Sequence, residues 1–183
     1  MSIYGAIHNV LKHFETHLFV SEMPNDKVTI LQSLRTIWHD IEKYSKNIYP
    51  EKTAELSHIV HHIPTEDLAI TKKMYESAIP QFTRLKEAWS QEKDIKPFYS
   101  RLFRLLEELL LFNKDWEECC ELCQGAMYYY VEKNRHIVLK QCRSCGNVYD
   151  ADKNERLPVY HAYELRIALR SDLLNMLGPD EWI

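Results

Sequence analysis

Two cysteine pairs, Cys120-Glu-Leu-Cys123 and Cys142-Arg-Ser-Cys145, stand eighteen residues apart in this chain. A Cys-x-x-Cys turn presents two thiolates from one tight knuckle, and two such hooks at this separation read as a four-thiolate zinc site. The pattern dictates local structure, because the segment between the hooks must double back for four sulfurs to converge. Residues 127–131 and 136–141 have the β-branched and aromatic content of two strands, joined by the polar turn Glu132-Lys133-Asn134-Arg135. Gly146 follows the second hook, where a knuckle needs a residue free to take positive φ. Residues 147–149 add a third short strand, and 150–156 form a charged loop. The expected Zn²⁺ ligands are Cys120, Cys123, Cys142 and Cys145. Cys119 offers a Cys-x3-Cys alternative in which it replaces Cys120; the x2 spacing of the second hook favours Cys120.

The rest of the chain reads as helix. Glycine occurs only 4 times in 183 residues, and long stretches are rich in Leu, Glu and Lys. Ile7, Val10, Leu11, Phe14 and Leu18 form one stripe on a helix over 2–18. A turn at Met23-Pro24-Asn25-Asp26 precedes a helix over 26–45 with Ile30, Leu31, Leu34, Ile37, Trp38 and Ile41 inward. Pro50 suits the first turn of a short helix bearing Leu56, Ile59 and Val60. Thr65 is the expected cap of the next helix, which runs to Trp89 and kinks or breaks near Ile79 because of Pro80. Pro97 starts the most apolar helix, continuing to Trp116, with apolar residues nearly all round. A last helix is expected over 161–177, stopped by Gly178-Pro179, with a stripe of Leu165, Ala168, Leu169, Leu173 and Met176. The ribbon is too small to cover that stripe, so it should pack on the helices. The fold class is therefore mainly α: a helical bundle over 1–118, an inserted or docked small β zinc ribbon over 119–157, and a C-terminal helix over 158–183 packing back on the bundle.

Composition argues mildly against some roles. Apolar residues make up 45%, enough for a core, and the net charge of −4 lacks the basic excess of a dedicated nucleic-acid binder. Within 119–156, Lys133, Arg135, Lys140, Arg143, Lys153 and Arg156 face five carboxylates, and four thiolates on one Zn²⁺ add two further negative charges. The apolar run over 105–112 is too short and too charged to span a bilayer. Residues 1–20 contain three histidines, a lysine and a glutamate and no continuous apolar run, so no secretory signal is expected. The hooks then belong to a reducing cytoplasm, holding metal rather than disulfides.

Other candidate groups are weaker. His58, His61 and His62 share a helix face and could hold a second metal, but no carboxylate motif accompanies them, and a solvated or capping role is the simpler reading. His13 and His17 have the same spacing. Glu107-Glu108 and Glu117-Glu118 are adjacent in sequence, so on a helix they point apart and make poor acid–base pairs. In the tyrosine run, Tyr129 points one way and Tyr128 and Tyr130 the other, either onto the chain's own helices or toward a partner. No nucleophile elbow, phosphate loop or dinucleotide fingerprint is present, so an enzyme is not expected.

The hooks together with Cys145-Gly146-Asn147-Val148-Tyr149-Asp150 resemble a rubredoxin-type zinc ribbon, over 119–156 only. In overall character, a small acidic helical chain with such a ribbon resembles bacterial immunity proteins. That resemblance implies a cytoplasmic, non-enzymatic protein-binding module that neutralises a cognate toxin by covering its active site. The alternative is a zinc-ribbon nucleic-acid-binding or transcription-associated factor. A third reading, an enzyme assembled from scattered histidines and carboxylates, has only residue types in its favour.

Overall fold

The computed structural model describes residues 2–19, 27–114, 119–158, 164–177 and 182. Helix α1 spans Ile3–His13, and the Ser2 hydroxyl caps it by accepting the Gly5 N–H at 3.1 Å. The expected last turn, Phe14–Leu18, is present in widened π form, closed by the Phe19 N–H on the Phe14 carbonyl at 2.7 Å. Helices α2 (Lys27–Ser45) and α3 (Pro50–His62) follow the apolar stripes, with Pro50 at the first position of α3. The turn expected at 23–26 lies outside the described residues.

The next helix begins later than expected. Thr65–Asp67 form a single 3₁₀ turn; Leu68 is extended, and Leu68, Ala69 and Ile70 are buried outside any helix. Three consecutive apolar residues cannot all face inward from a surface helix, but they can in a non-helical segment buried on all sides. The cap is Thr71, whose hydroxyl accepts the Met74 N–H at 3.2 Å, and α4 runs over Lys72–Glu92. Pro80 does not break it: the helix is continuous through Pro80, flanked by buried Ala78, Phe82 and Leu85. Helix α5 spans Ile95–Leu110, capped by Asp94, with Pro97 tolerated in the first turn. It is buried nearly all round, and Glu107 and Glu108 are drawn in with its leucines. The expected continuation to Trp116 ends at Leu110, and Trp116 lies outside the described residues.

Strands β1 (Met127–Glu132), β2 (Ile137–Cys142) and β3 (Val148–Asp150) match the expected hairpin and third strand to within a residue or two. The C-terminal segment differs. In place of a helix over 161–177, Leu165–Ile167 form β4, antiparallel to β1, and among the described residues of this stretch only Arg170–Leu173 are helical, as α6. Residues 161–163 and Gly178-Pro179 lie outside the described residues. The physical reason is the open edge of β1, a strand buried at all six positions, which a second neighbour must satisfy. The Arg166 guanidinium then grips Asp172 in a fork at 2.6 and 2.8 Å, and Asp172 accepts the Leu169 N–H at 2.8 Å, fixing the corner between β4 and α6.

The resulting sheet has the order β3-β2-β1-β4 and has apolar groups on both faces. Tyr128 and Tyr130 enter the main core with the bundle residues. Tyr129 faces the opposite side among Phe112, Val131, Ala168, Leu173 and Trp182, its ring 5.2 Å from that of Phe112. The tyrosines thus pack against the chain's own residues. Leu165, Ile167 and Leu169 are half-buried against the main core, as strand and turn in place of the expected helix.

Candidate metal centre

The two hooks are built alike. The Cys120 N–H donates to the Gly125 carbonyl at 2.9 Å, and the Cys120 carbonyl accepts from the Gln124 N–H at 2.8 Å. In the second hook the Cys142 N–H donates to the Asn147 carbonyl, and the Cys142 carbonyl accepts from the Gly146 N–H, both at 2.9 Å. The residue four positions after each leading cysteine has positive φ, 58° at Gln124 and 72° at Gly146. The glycine was the legible half of this symmetry; a glutamine in the left-handed region carries no sequence signal. The hooks touch through the Arg143 N–H, which donates to the Ala126 carbonyl at 3.1 Å. Gly125 lies where they meet, and a Cβ there would stand 2.5 Å from Ser144 Oγ and 3.0 Å from Cys142 Sγ.

All four expected sulfurs converge. The Sγ atoms of Cys120, Cys123, Cys142 and Cys145 lie within 4.8 Å of one another. The Cys120–Cys145 pair is separated by 3.6 Å and the Cys123–Cys142 pair by 3.4 Å. A tetrahedron with metal–sulfur bonds of about 2.3 Å has sulfur–sulfur edges of about 3.8 Å, so the set can close around one metal ion with little movement. Cys120 and Cys142 are buried, while Cys123 and Cys145 face solvent. Cys119 stands apart: it is exposed, and its thiol donates to Gln124 Oε1 at 3.0 Å.

The surroundings favour thiolates unevenly. Burial pushes the Cys120 thiol up, but the Tyr149 hydroxyl, at 3.5 Å, and the N–H groups of Leu122 and Cys123 outweigh it and bring Cys120 down to about 6. The Asn147 side-chain amide, 2.8 Å from Cys145 Sγ, lowers Cys145. The Gly125 N–H acts to lower Cys123, yet the neighbouring Cys142 and Cys145 sulfurs push it up to about 12. Burial raises Cys142. Two thiolates are thus prepared and two are opposed, Cys123 by its neighbours and Cys142 by burial, a conflict that a divalent cation at the centre removes. The sequence marks Asn147 and Tyr149 as strand residues within the ribbon-like run after Cys145; their place beside the sulfurs follows from the knuckle bringing the chain back past Cys145.

The second hook is also fastened to the bundle. Arg143 Nη2 lies 2.7 Å from Glu107 Oε1 on α5 and 2.6 Å from Glu55 Oε2 on α3. Lys52 Nζ reaches the same Glu107 oxygen at 3.2 Å. Burial disfavours the guanidinium charge, but Glu107 and Glu55 more than compensate and raise the Arg143 pKa above its ordinary value. Glu107 and Glu108 do point apart, as helix geometry requires, Glu108 Oε1 meeting Arg104 at 3.2 Å.

The histidines do not form a comparable group. Among the described residues, the four cysteines are the one set of three or more candidate donors gathered closely enough for a metal. The rings of His58 and His62 are 5.4 Å apart, and His61 lies 3.6 Å from Glu42. Glu117-Glu118 lie outside the described residues. No described helix is long and apolar enough to cross a membrane. Comparisons of the chain with family models, with curated proteins and with solved structures find no match.

Proposed function

We propose that the four thiolates hold a structural Zn²⁺ in a rubredoxin-like ribbon, and that the chain is a non-enzymatic, cytoplasmic protein-binding module of the immunity type, covering the active site of a cognate toxin. The observation that carries the structural reading is the four-sulfur set itself: four thiolates complete a tetrahedral shell and leave no position for water or substrate. The ribbon is further tied to two helices through Arg143, which suits a scaffold better than a reaction centre. Exposed Leu122 at the tip of the first hook and exposed Tyr4 and Leu174 elsewhere offer apolar anchors for a partner.

The nucleic-acid reading loses two of its six ribbon cations. Arg143 is committed to Glu107 and Glu55, and Lys140 is buried with its ammonium on Asn154 at 2.6 Å. A phosphate-binding surface needs such groups free to meet the backbone.

Two measurements test this. Emission spectrometry of the purified protein should give one zinc per chain, while stoichiometric iron, which also suits four thiolates, would point to redox chemistry instead. Capture of the tagged protein from its native cells after nuclease treatment should retain one protein in near-equal amount, and co-expression should relieve that protein's toxicity. Loss of every partner with the nucleic acid would sink the immunity reading.

A further inference from the structure

A cleft of about 430 Å³ lies between α3 and the β4 edge of the sheet, away from the thiolates. Its apolar lining comes from Ile59 and Ile63 on one side and Leu165, Ile167 and Leu169 on the other. The order of the sheet puts β4 outermost, and among the described residues β1 is its one strand partner. The Lys133 N–H donates to the Glu164 carbonyl at 2.9 Å and the Ala168 N–H to the Tyr129 carbonyl at 3.2 Å, which fixes the alternation along β4. The backbone groups of Leu165 and Ile167 therefore face away from β1, along the outer edge. The Arg166 guanidinium takes up the Ile167 carbonyl at 3.1 Å.

The charge of the rim is one-sided once internal pairs are set aside. Glu55 is held by Arg143, and Arg166 is held by Asp172. That leaves the Lys133 ammonium with the His58 and His62 imidazoles, and among the described residues Lys133 makes no ion pair. A backbone edge, an apolar trough beside it and an unmatched cation at its rim are the three parts of a strand-addition site.

We propose that an extended, acidic segment of a partner protein adds to the sheet along β4 and drops alternate apolar side chains into the cleft under α3, with its carboxylates toward Lys133. The proposal rests on the protein-binding reading and names the form of the partner. A compact amphiphile would fill the trough but leave the backbone edge unused; an extended chain meets both, since its side chains alternate with the pleat.

The test uses the full protein and an array of octapeptides with Val, Ile or Leu at alternate positions and Glu or Asp between, read by fluorescence anisotropy. The best binder should lose about tenfold in affinity on Ile167→Pro, which removes an outward N–H and leaves the β1 ladder intact. The same peptide N-methylated on its pairing amides should lose as much against the unaltered protein, a result that does not depend on how well the proline variant folds. Lys133→Glu should weaken the acidic peptides and not uncharged ones. The proposal is overturned if no array member binds, if N-methylation changes nothing, if dodecanoate fills the cleft and displaces nothing from the edge, or if Ile167→Pro abolishes only self-association of this chain. A captured native partner held equally by the unaltered protein and by the Ile167→Pro variant would overturn the cleft and leave the protein-binding reading standing. Edge-dependent peptide binding without any captured partner would support the cleft and count against the immunity reading alone.

Discussion

Arg143, between the two cysteines of the second hook, places its Nη2 2.7 Å from the Glu107 carboxylate of α5, a residue 36 positions earlier and almost fully buried. The second hook and the bundle are therefore joined through one side chain. Arg143→Met should leave Glu107 buried with only Lys52 to compensate it, at a cost of about 3 kcal/mol. Urea unfolding checks this. Adding Glu107→Gln to that variant should recover much of the loss, and a double variant as unstable as the single one would show that the pair is not the cause.

Metal retention should follow the sulfurs. Cys123→Ser and Cys142→Ser should each lose the metal and the slow hydrogen exchange of β1 and β2, because ligation supplies much of a small module's folding energy. Cys119→Ser should keep one ion per chain, since its thiol bonds to Gln124 and lies outside the cluster. Metal loss in Cys119→Ser with retention in Cys120→Ser would reverse the assignment of the first hook.

The two glycines of the hooks should respond differently. Gly125→Ala puts a methyl group 2.8 Å from Ser144 Cβ and 3.0 Å from Cys142 Sγ, forcing the hooks apart. Zinc affinity in a chelator competition should fall about tenfold or more, the range for disturbed metal surroundings. Gly146→Ala meets no atom, but its φ of 72° is strained for an L-residue, so a stability loss of about 1 kcal/mol with affinity nearly kept is expected.

Glu108 gives the fold a pH dependence. Burial raises its carboxyl to about 7, against Arg104, which acts to lower it. Its Oε2 has no hydrogen-bond partner among the described residues. Between the ordinary carboxyl range and pH 7 the folded protein keeps a proton that the unfolded chain has released. This contribution is therefore fully present in acid and is lost as pH rises through about 7. Glu108→Gln should shift its stability difference from the unaltered protein by about 2 kcal/mol in the variant's favour between pH 5 and pH 8. Urea midpoints at the two pH values decide it; parallel curves would mean that Glu108 titrates normally.

The convergence of the four cysteines was legible because its signal is local: two hooks, a hairpin between them and Gly146 after them. The stripes of α2, α3 and α5 were legible for the same reason, since the period of a helix shows which face is buried. What escaped depends on distant partners. Leu165, Leu169 and Leu173 are spaced as on a helix, yet Leu165 and Ile167 flank Arg166 as on a strand, and the open edge of β1 decides between them. Thr65 and Thr71 are both plausible caps, and the choice turns on where Leu68, Ala69 and Ile70 can be buried together. The link from Arg143 to Glu107 joins residues that no period relates.

The position of β4 has a consequence for how the chain is made. During synthesis β1 acquires β2 almost at once, but most of its other edge stays open until the residues of β4 have emerged, Tyr129 alone having the Phe112 carbonyl. A chain cut or stopped after residue 158 would keep its hooks while uncovering the side of a tyrosine-rich strand where, among the described residues, only the Tyr129 N–H, on the Phe112 carbonyl, keeps a backbone partner. Such an edge is a template for any passing strand, so truncated chains should stick to one another although all four hook cysteines are present.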